Sequence, residues 1–260
     1  MPAEEPLFTT QNRSFRYGDG LFETMKVYKG KILMESFHFE RLFLGLKMLH
    51  IENELNSSHL SKLVLELSKK NNCADLARIR LAAFRNEQNK VEFSIEASTL
   101  SSETSQWNEK GLRIDLYPHA RKNPDAFSNL KTANFLPYVL ADLFAKERGI
   151  DDALVLNVFN LICDSSKANI FLIKEKEVFT PALNQGCISG TRRRFLLDEL
   201  KRAGYRIHQD EVSEQQLLEA DEVFLTNSVN DLRWVNHFRD KTYSCQECYS
   251  IYKKIIAPLY

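Results

Sequence analysis

The chain has 260 residues, of which 43% are hydrophobic and 27% charged, a composition that suits one large or two modest folded domains and excludes a disordered tail. Thirty-five basic and thirty-five acidic residues cancel, so no global field points to nucleic acid or to anionic lipid. No segment approaches the roughly 20 apolar residues of a membrane helix, and the start, MPAEEPLFTTQNRSF, lacks the basic end and apolar core of a signal peptide, which makes a cytoplasmic protein with no membrane partner the expectation.

In chain order, RYGDGLFETMKV (16–27) is a Gly-Asp-Gly turn leading into the strand-like run Leu21, Phe22, Glu23 and Thr24. Phe39, Leu42, Phe43, Leu46 and Leu49 recur at helical spacing, predicting an amphipathic helix over 37–50, and Leu60, Leu63, Val64 and Leu67 predict a second. Alternating runs at 76–84, 91–98 and 111–117 read as strands. PHARKNPDAFS (118–128), with two prolines and no period, reads as an interdomain linker. A helix is expected over 131–148, stopping near Gly149, followed by short strands at 152–157, 169–174 and 177–181. GTRRRFLLDELKRAG (190–204) reads as a helix stopped by Gly204, and Ser213 with Gln216 forms a capping-box pattern opening another. EVFLTNS (222–228) reads as a buried strand running into a polar turn. The expected architecture is mixed α/β in two domains, a smaller one over 1–119 and a larger one over 120–260, with a ligand site between them.

Five cysteines, Cys73, Cys163, Cys187, Cys245 and Cys248, are too scattered and odd in number for a disulfide framework. Cys245 and Cys248 form a lone CxxC. A structural zinc site needs four ligands and no second pair follows, so no metal is expected.

Lys131 is the only charge in SNLKTANFLP (128–137). It is either a lysine near a helix start with its amine in water, or a desolvated amine able to form a Schiff base or move a proton. A phosphorylated ligand would want backbone donors at a helix N-terminus together with an arginine. QGCISGTRRRF (185–195) offers a glycine-flanked turn before a helix, and Thr226, Asn227 and Ser228 offer three hydrogen-bonding side chains in succession. An ordinary N-cap and an ordinary β-turn account for the same residues. Arg41, in HFERL (38–42), projects from the first helix and reads equally as a surface residue.

These pieces occur in an order that resembles the fold type IV pyridoxal phosphate enzymes, the class IV aminotransferase family, which includes branched-chain and D-amino acid aminotransferases and aminodeoxychorismate lyase. The resemblance runs from about Arg16 to about Asn230 and is carried by RYGDGLFET, HFERL, LKTANFLP, DSSKANIF (164–171), GCISGTRR (186–193) and EVFLTNS. It implies pyridoxal 5'-phosphate as cofactor and Lys131, in the larger domain, as the Schiff-base lysine. Arg41 matches the arginine on the cofactor phosphate, and the backbone at Gly190, Thr191 and Arg192 matches a second phosphate contact. Thr226, with Asn227 and Ser228, matches the turn on the phosphate's other side, and Asn169 matches an asparagine near the cofactor. Asp164 stands where the family carries a glutamate against the pyridine nitrogen, one methylene shorter.

The mechanism implied is that Lys131 bonds the cofactor, is displaced by an incoming amine, and then takes the proton from Cα while the ring spreads the charge. Chain length, the compact LKTANFLP segment and the Thr226-Asn227 pair are most similar to the lyase members, which split 4-amino-4-deoxychorismate into 4-aminobenzoate and pyruvate, a step toward folate. An amino acid aminotransferase of branched-chain or D-amino acid type is the alternative, and a cofactor-binding protein with degraded catalysis a third. Arg78, Arg80, Arg121 and Lys122 are candidate partners for substrate carboxylates. The resemblance also implies a homodimer acting on a small-molecule amino substrate.

Overall fold

The computed structural model describes residues 9–260, so the reading of the first residues as lacking a signal peptide lies outside it. The chain divides into two compact units. The first runs to Thr99 and also takes in Leu130–Phe135; the second comprises Leu100–Asn129 and Leu136–Tyr260.

In the first unit a short helix, α1 (Arg13–Tyr17), leads into β1 (Gly20–Tyr28), β2 (Lys31–Ile32), α2 (Glu35–Met48), α3 (Ser57–Lys70), β3 (Leu76–Arg85) and β4 (Val91–Thr99). The four strands form an antiparallel sheet in the order β2-β1-β3-β4. The predicted helical period is borne out: Phe39, Leu42 and Leu46 of α2 and Leu60 and Val64 of α3 are buried against Met25, Val27, Ile79 and Leu81. Full burial of each such side chain stabilises by about 1.5–3 kcal/mol. Gly45 in mid-helix would ordinarily cost about 1 kcal/mol. Here it lets α2 approach β1, because a Cβ at that point would lie 2.6 Å from Leu21 Cδ1.

The second unit holds β5 (Leu112–Lys122), α4 (Leu136–Arg148), β6 (Asp152–Asn157), β7 (Ile162–Ser165), β8 (Asn169–Lys174), β9 (Glu177–Pro181), α5 (Thr191–Arg202), β10 (Ile207–Asp210), α6 (Glu214–Glu219), β11 (Glu222–Asn227), β12 (Asp231–Phe238), β13 (Lys241–Thr242) and α7 (Gln246–Ile251). Its strands make one mixed sheet, β10-β9-β8-β11-β12-β5-β6-β7, with β13 paired to β12. Side chains on its two faces build separate cores, one around Leu154, Ile170 and Leu225 and one around Phe171, Leu196 and Phe224. The strands β6, β7, β8 and β11 are almost wholly buried, which explains the apolar runs of β6, β8 and β11. The capping box at Ser213 and Gln216 forms as the pattern predicts.

The linker, the domain boundary, the helix start and the unit that holds Lys131 all differ from expectation. The stretch 118–128 is not a linker and the chain does not divide at 119/120. β5 continues through that point to Lys122, and Pro118 lies in a break of the β5–β6 register between Leu116 and Arg121, where a missing ladder donor is tolerated. The helix expected from residue 131 begins at Leu136 instead. Pro137 suits only a first turn, where its absent N–H is not needed. Lys131–Ala133, ahead of that start, bridge to β1 instead: the Phe22 N–H donates to the Lys131 carbonyl at 2.9 Å and the Ala133 N–H to the Gly20 carbonyl at 2.8 Å. Lys131 therefore belongs to the first unit, not to the larger C-terminal one.

Among the described residues no helix is long and apolar enough to cross a membrane, and no group of three or more His, Cys, Asp or Glu is placed to hold a metal ion. All five cysteines are free thiols.

Candidate active site

In the first unit, the backbone pairing with β1 sets Lys131 beside two aromatic rings. Its Nζ lies 4.5 Å from the centre of the Phe22 ring and 4.8 Å from that of Phe135, and the two rings meet edge to face at 5.2 Å. Arg80 of β3 also lies over Phe22, with its guanidinium carbon 4.1 Å from the ring centre. The amine and a guanidinium thus share one aromatic side chain, an arrangement held by cation–π attraction.

Arg41 and His38, three residues apart on α2, share one face of that helix and converge on Glu23 of β1. Arg41 donates from Nε to Glu23 Oε1 at 2.7 Å and from Nη2 to Oε2 at 2.6 Å, and His38 Nδ1 lies 2.6 Å from Oε2. Burial alone would raise the Glu23 pKa, but the Arg41 charge and the His38 hydrogen bond together outweigh it and hold the carboxyl down at about 2. The guanidinium expected to face a phosphate is here aligned by a buried carboxylate.

In the second unit, Asp164 near the end of β7 is buried. Its Oδ1 accepts from Asn169 Nδ2 at 2.8 Å, and its Oδ2 accepts from the Tyr138 hydroxyl at 2.7 Å and the Ile188 N–H at 2.9 Å. Asn169 also donates to the Ile188 carbonyl at 2.8 Å, tying β8 to the turn that precedes α5. That turn closes on Gly190, where a Cβ would sit 1.9 Å from Asn169 Oδ1, so only a glycine admits the asparagine.

Gly190 is the N-cap of α5, and no side chain caps the helix, which leaves the backbone donors of its first turn suited to an anion. Ser228 comes against this end: its Oγ and that of Thr191 are 2.7 Å apart. The turn carrying Ser228 is shaped from within. Thr226 donates its hydroxyl to the Asp231 backbone carbonyl, and the Asn227 side-chain Oδ1 accepts the N–H groups of Val229 and Asn230. The Arg192 side chain takes no part in this anion-facing surface. It is 1% exposed and ion-paired with Asp231, also buried, so any role of Arg192 toward a phosphate falls to its backbone.

The structure thus brings Asp164, Asn169, Gly190, Thr191 and Ser228 together in the second unit, with Thr226 and Asn227 supporting the turn. Lys131 and Arg41 lie in the first unit. Of the candidate carboxylate partners, Arg121 is spent on Asn160 and on the carbonyls of Pro118 and Ala120, and Lys122 on Tyr138 and Ser128. Arg78 is exposed, and Arg80 lies beside the Phe22 ring. Sequence reasoning missed Glu23, His38, Tyr138 and the Ile188 N–H. The i, i+3 spacing of His38 and Arg41 was the one available sign of the first pair.

These residues suit pyridoxal phosphate. A buried carboxylate with one acceptor site still open on Oδ1 matches a pyridinium N–H, and an uncapped helix start with two hydroxyls matches a phosphate. The description "Amino-transferase class IV" belongs to the family model that matches residues 20–238. Aminodeoxychorismate lyase of Bacillus subtilis (strain 168) is 26% identical over 257 residues, covering 95% of this chain and 86% of that protein. The branched-chain aminotransferase of Thermoproteus uzoniensis, solved with norvaline, superposes with a TM-score of 0.89 at 21% identity, over 99% of this chain and 92% of that one. The T.th. branched-chain amino acid aminotransferase, solved with pyridoxamine 5'-phosphate, gives 0.87 at 20% identity, over 97% and 89%. A family match across most of the chain, joined to this fold, settles the membership: the chain belongs to the class IV aminotransferases, a family of pyridoxal phosphate-dependent lyases and transaminases.

Proposed function

We propose that the protein is a pyridoxal phosphate-dependent 4-amino-4-deoxychorismate lyase. The observation that carries the cofactor reading is Asp164, a buried carboxylate fixed by three donors beside an uncapped helix start. The choice of the lyase is supported by the curated relative of that name, which matches over nearly the whole chain. The carbonyl-bonding role falls to Lys131. Arg41, aligned by Glu23, and the α5 start with Thr191 and Ser228 hold the phosphate; Asn169 positions Asp164, and Thr226 and Asn227 shape the turn.

When bound, the cofactor supplies an electron sink for the carbon that carries the substrate amine. The chain's own work is to move one proton and hold two charges. The Lys131 amine takes the proton from that carbon, and the C–O bond to the enolpyruvyl group breaks. The ring becomes aromatic as 4-aminobenzoate, and the enolpyruvate takes a proton back to become pyruvate. Asp164 keeps the ring nitrogen protonated, and Arg80 is proposed to bind a substrate carboxylate. An amino acid aminotransferase is the second reading, favoured by the likeness to solved branched-chain aminotransferases.

The test is direct. Purified protein incubated with aminodeoxychorismate should yield 4-aminobenzoate and pyruvate, and Lys131→Ala should abolish both. Glutamate formation from amino acids and 2-oxoglutarate, without 4-aminobenzoate, would instead establish the aminotransferase. A protein that takes up no pyridoxal phosphate would overturn both readings.

A cytoplasmic homodimer is part of the proposal. Self-association is supported by a row on α4, Leu136, Val139, Leu140 and Leu143, that is 60%, 48%, 38% and 46% exposed at helical spacing. Contiguous exposed apolar surface of this kind marks association sites.

A further inference from the structure

The two oxygens of Asp164 are unequally engaged. Oδ1 accepts one hydrogen bond, from Asn169. Oδ2 accepts two, from the Tyr138 hydroxyl and the Ile188 N–H, and the Lys122 ammonium lies 3.7 Å away. Lys122 is itself held: Nζ donates to the Tyr138 phenolic oxygen at 2.6 Å and to the Ser128 carbonyl at 2.7 Å. Its side chain is 13% exposed and that of Asp164 only 3%.

The direction of the protons follows from these partners. An ammonium can only donate, so the Tyr138 oxygen accepts from Lys122 and its own proton points to Asp164. The Ile188 and Asn169 groups are donors as well. Every partner of Asp164 therefore favours the ionised carboxylate and none accepts a carboxyl proton. Burial pushes the other way and leaves the Asp164 pKa raised, with Lys122, the Ile188 N–H and Tyr138 opposing it. Cys163, Cys187 and Arg193 are the other titratable groups around the pair.

We infer that Tyr138 and Lys122 are positioning residues for Asp164: they fix Oδ2, keep the carboxylate charged, and leave Oδ1 as the atom offered to the cofactor's ring nitrogen. The inference rests on the cofactor reading above. Tyr138 comes from α4 and Lys122 from the last residue of β5, so the charge on a β7 side chain is set by two other elements. Loss of a hydrogen bond to a charged buried group typically weakens a coupled equilibrium by a factor of ten or more. The arrangement makes the basicity of Asp164 toward the ring a property of three residues.

The experiment uses the full chain as wild type, Tyr138→Phe, Lys122→Met, Lys122→Arg, Asp164→Asn and the Tyr138→Phe/Asp164→Asn double variant. Two quantities are read: the Kd of the apoprotein for pyridoxal phosphate, and the pH midpoint of the bound cofactor's absorbance change. Tyr138→Phe and Lys122→Met should each raise the Kd about tenfold and displace the midpoint, and Lys122→Arg should restore both in large part. In the Asp164→Asn background, Tyr138→Phe should add nothing. Wild-type Kd and midpoint in Tyr138→Phe and Lys122→Met, or an equal Tyr138→Phe effect with and without Asp164, would overturn the inference. If Tyr138→Phe does not fold, the contrast between Lys122→Met and Lys122→Arg decides alone. A wild-type protein that binds no pyridoxal phosphate sinks the cofactor reading; unaltered variants of a protein that does bind it sink only the roles of Tyr138 and Lys122.

Discussion

Arg41 grips both oxygens of Glu23, from Nε at 2.7 Å and Nη2 at 2.6 Å, so a guanidinium on α2 is locked in plane with a carboxylate on β1. A bidentate pair fixes direction as well as charge. Glu23 is 1% exposed, which makes it the member that cannot be left alone.

Acid should weaken the fold through Glu23. Burial raises the Glu23 pKa, but Arg41 and His38 together pull it down from 4.5 to about 2. A depressed carboxyl stabilises the fold above its unfolded pKa, and that contribution is lost as pH falls toward 2. The shift corresponds to roughly 3 kcal/mol. Urea unfolding of the wild type should weaken between about pH 4.5 and 2 from this group. Glu23→Gln should be destabilised by about 3 kcal/mol or more at pH 7, with a flatter profile in that window. A variant as stable as wild type at pH 7 would count against the pair.

Gly190→Ala should be severe without backbone strain. The residue has φ −66°, open to any amino acid, but the added Cβ would lie 1.9 Å from Asn169 Oδ1. Asn169 must move and give up its bonds to Asp164 and the Ile188 carbonyl. We expect a loss of about 2 kcal/mol or more in thermal or urea unfolding, and weaker uptake of pyridoxal phosphate.

Arg192 and Asp231 form a buried ion pair in which the Tyr260 hydroxyl also donates to Asp231. Asp231→Asn keeps the size and tolerates the residue's left-handed φ of 57°, so it isolates the charge. Stranding the guanidinium should destabilise by about 3–5 kcal/mol. Adding Arg192→Met should recover part of this, because an apolar side chain has no charge to strand. Denaturant midpoints of the single and double variants check the order.

Leu140→Lys with Leu143→Glu alters two exposed positions of α4 and should leave the fold intact. If α4 carries the proposed self-association, the molar mass in solution by light scattering should halve. An unchanged dimer would place the contact elsewhere.

Much of the fold was legible in local pattern. The rows Phe39–Leu42–Leu46 and Leu60–Val64 marked α2 and α3, and alternation or apolar runs marked β3, β4, β6, β8, β9 and β11. The strands β7, β10 and β12 were not read, being short or mixed in pattern and made regular only by their neighbours. Lys131–Phe135 looked helical because apolar residues surround it; its hydrogen bonds go instead to residues over 100 positions earlier, at Gly20 and Phe22. In the site, Asp164, Asn169 and Gly190 could be picked out by family resemblance. Tyr138 could not, because its phenol gains meaning only through a carboxylate 26 residues away. The Arg192 guanidinium turned inward to Asp231, a partner no local pattern announces.

The six residues Leu130–Phe135 have a consequence for synthesis. They complete the first unit, with Leu130 in its core and Thr132 bridged to Leu21, although the rest of that unit ends at Thr99. At about 5–20 residues per second, some 36 further residues take roughly two to seven seconds to emerge. During that interval the nascent sheet waits with β1 lacking its last partner. The segment that carries Lys131 is thus also the one that closes the first unit, and no ribosome-bound chain shorter than this point can present the lysine in its finished setting.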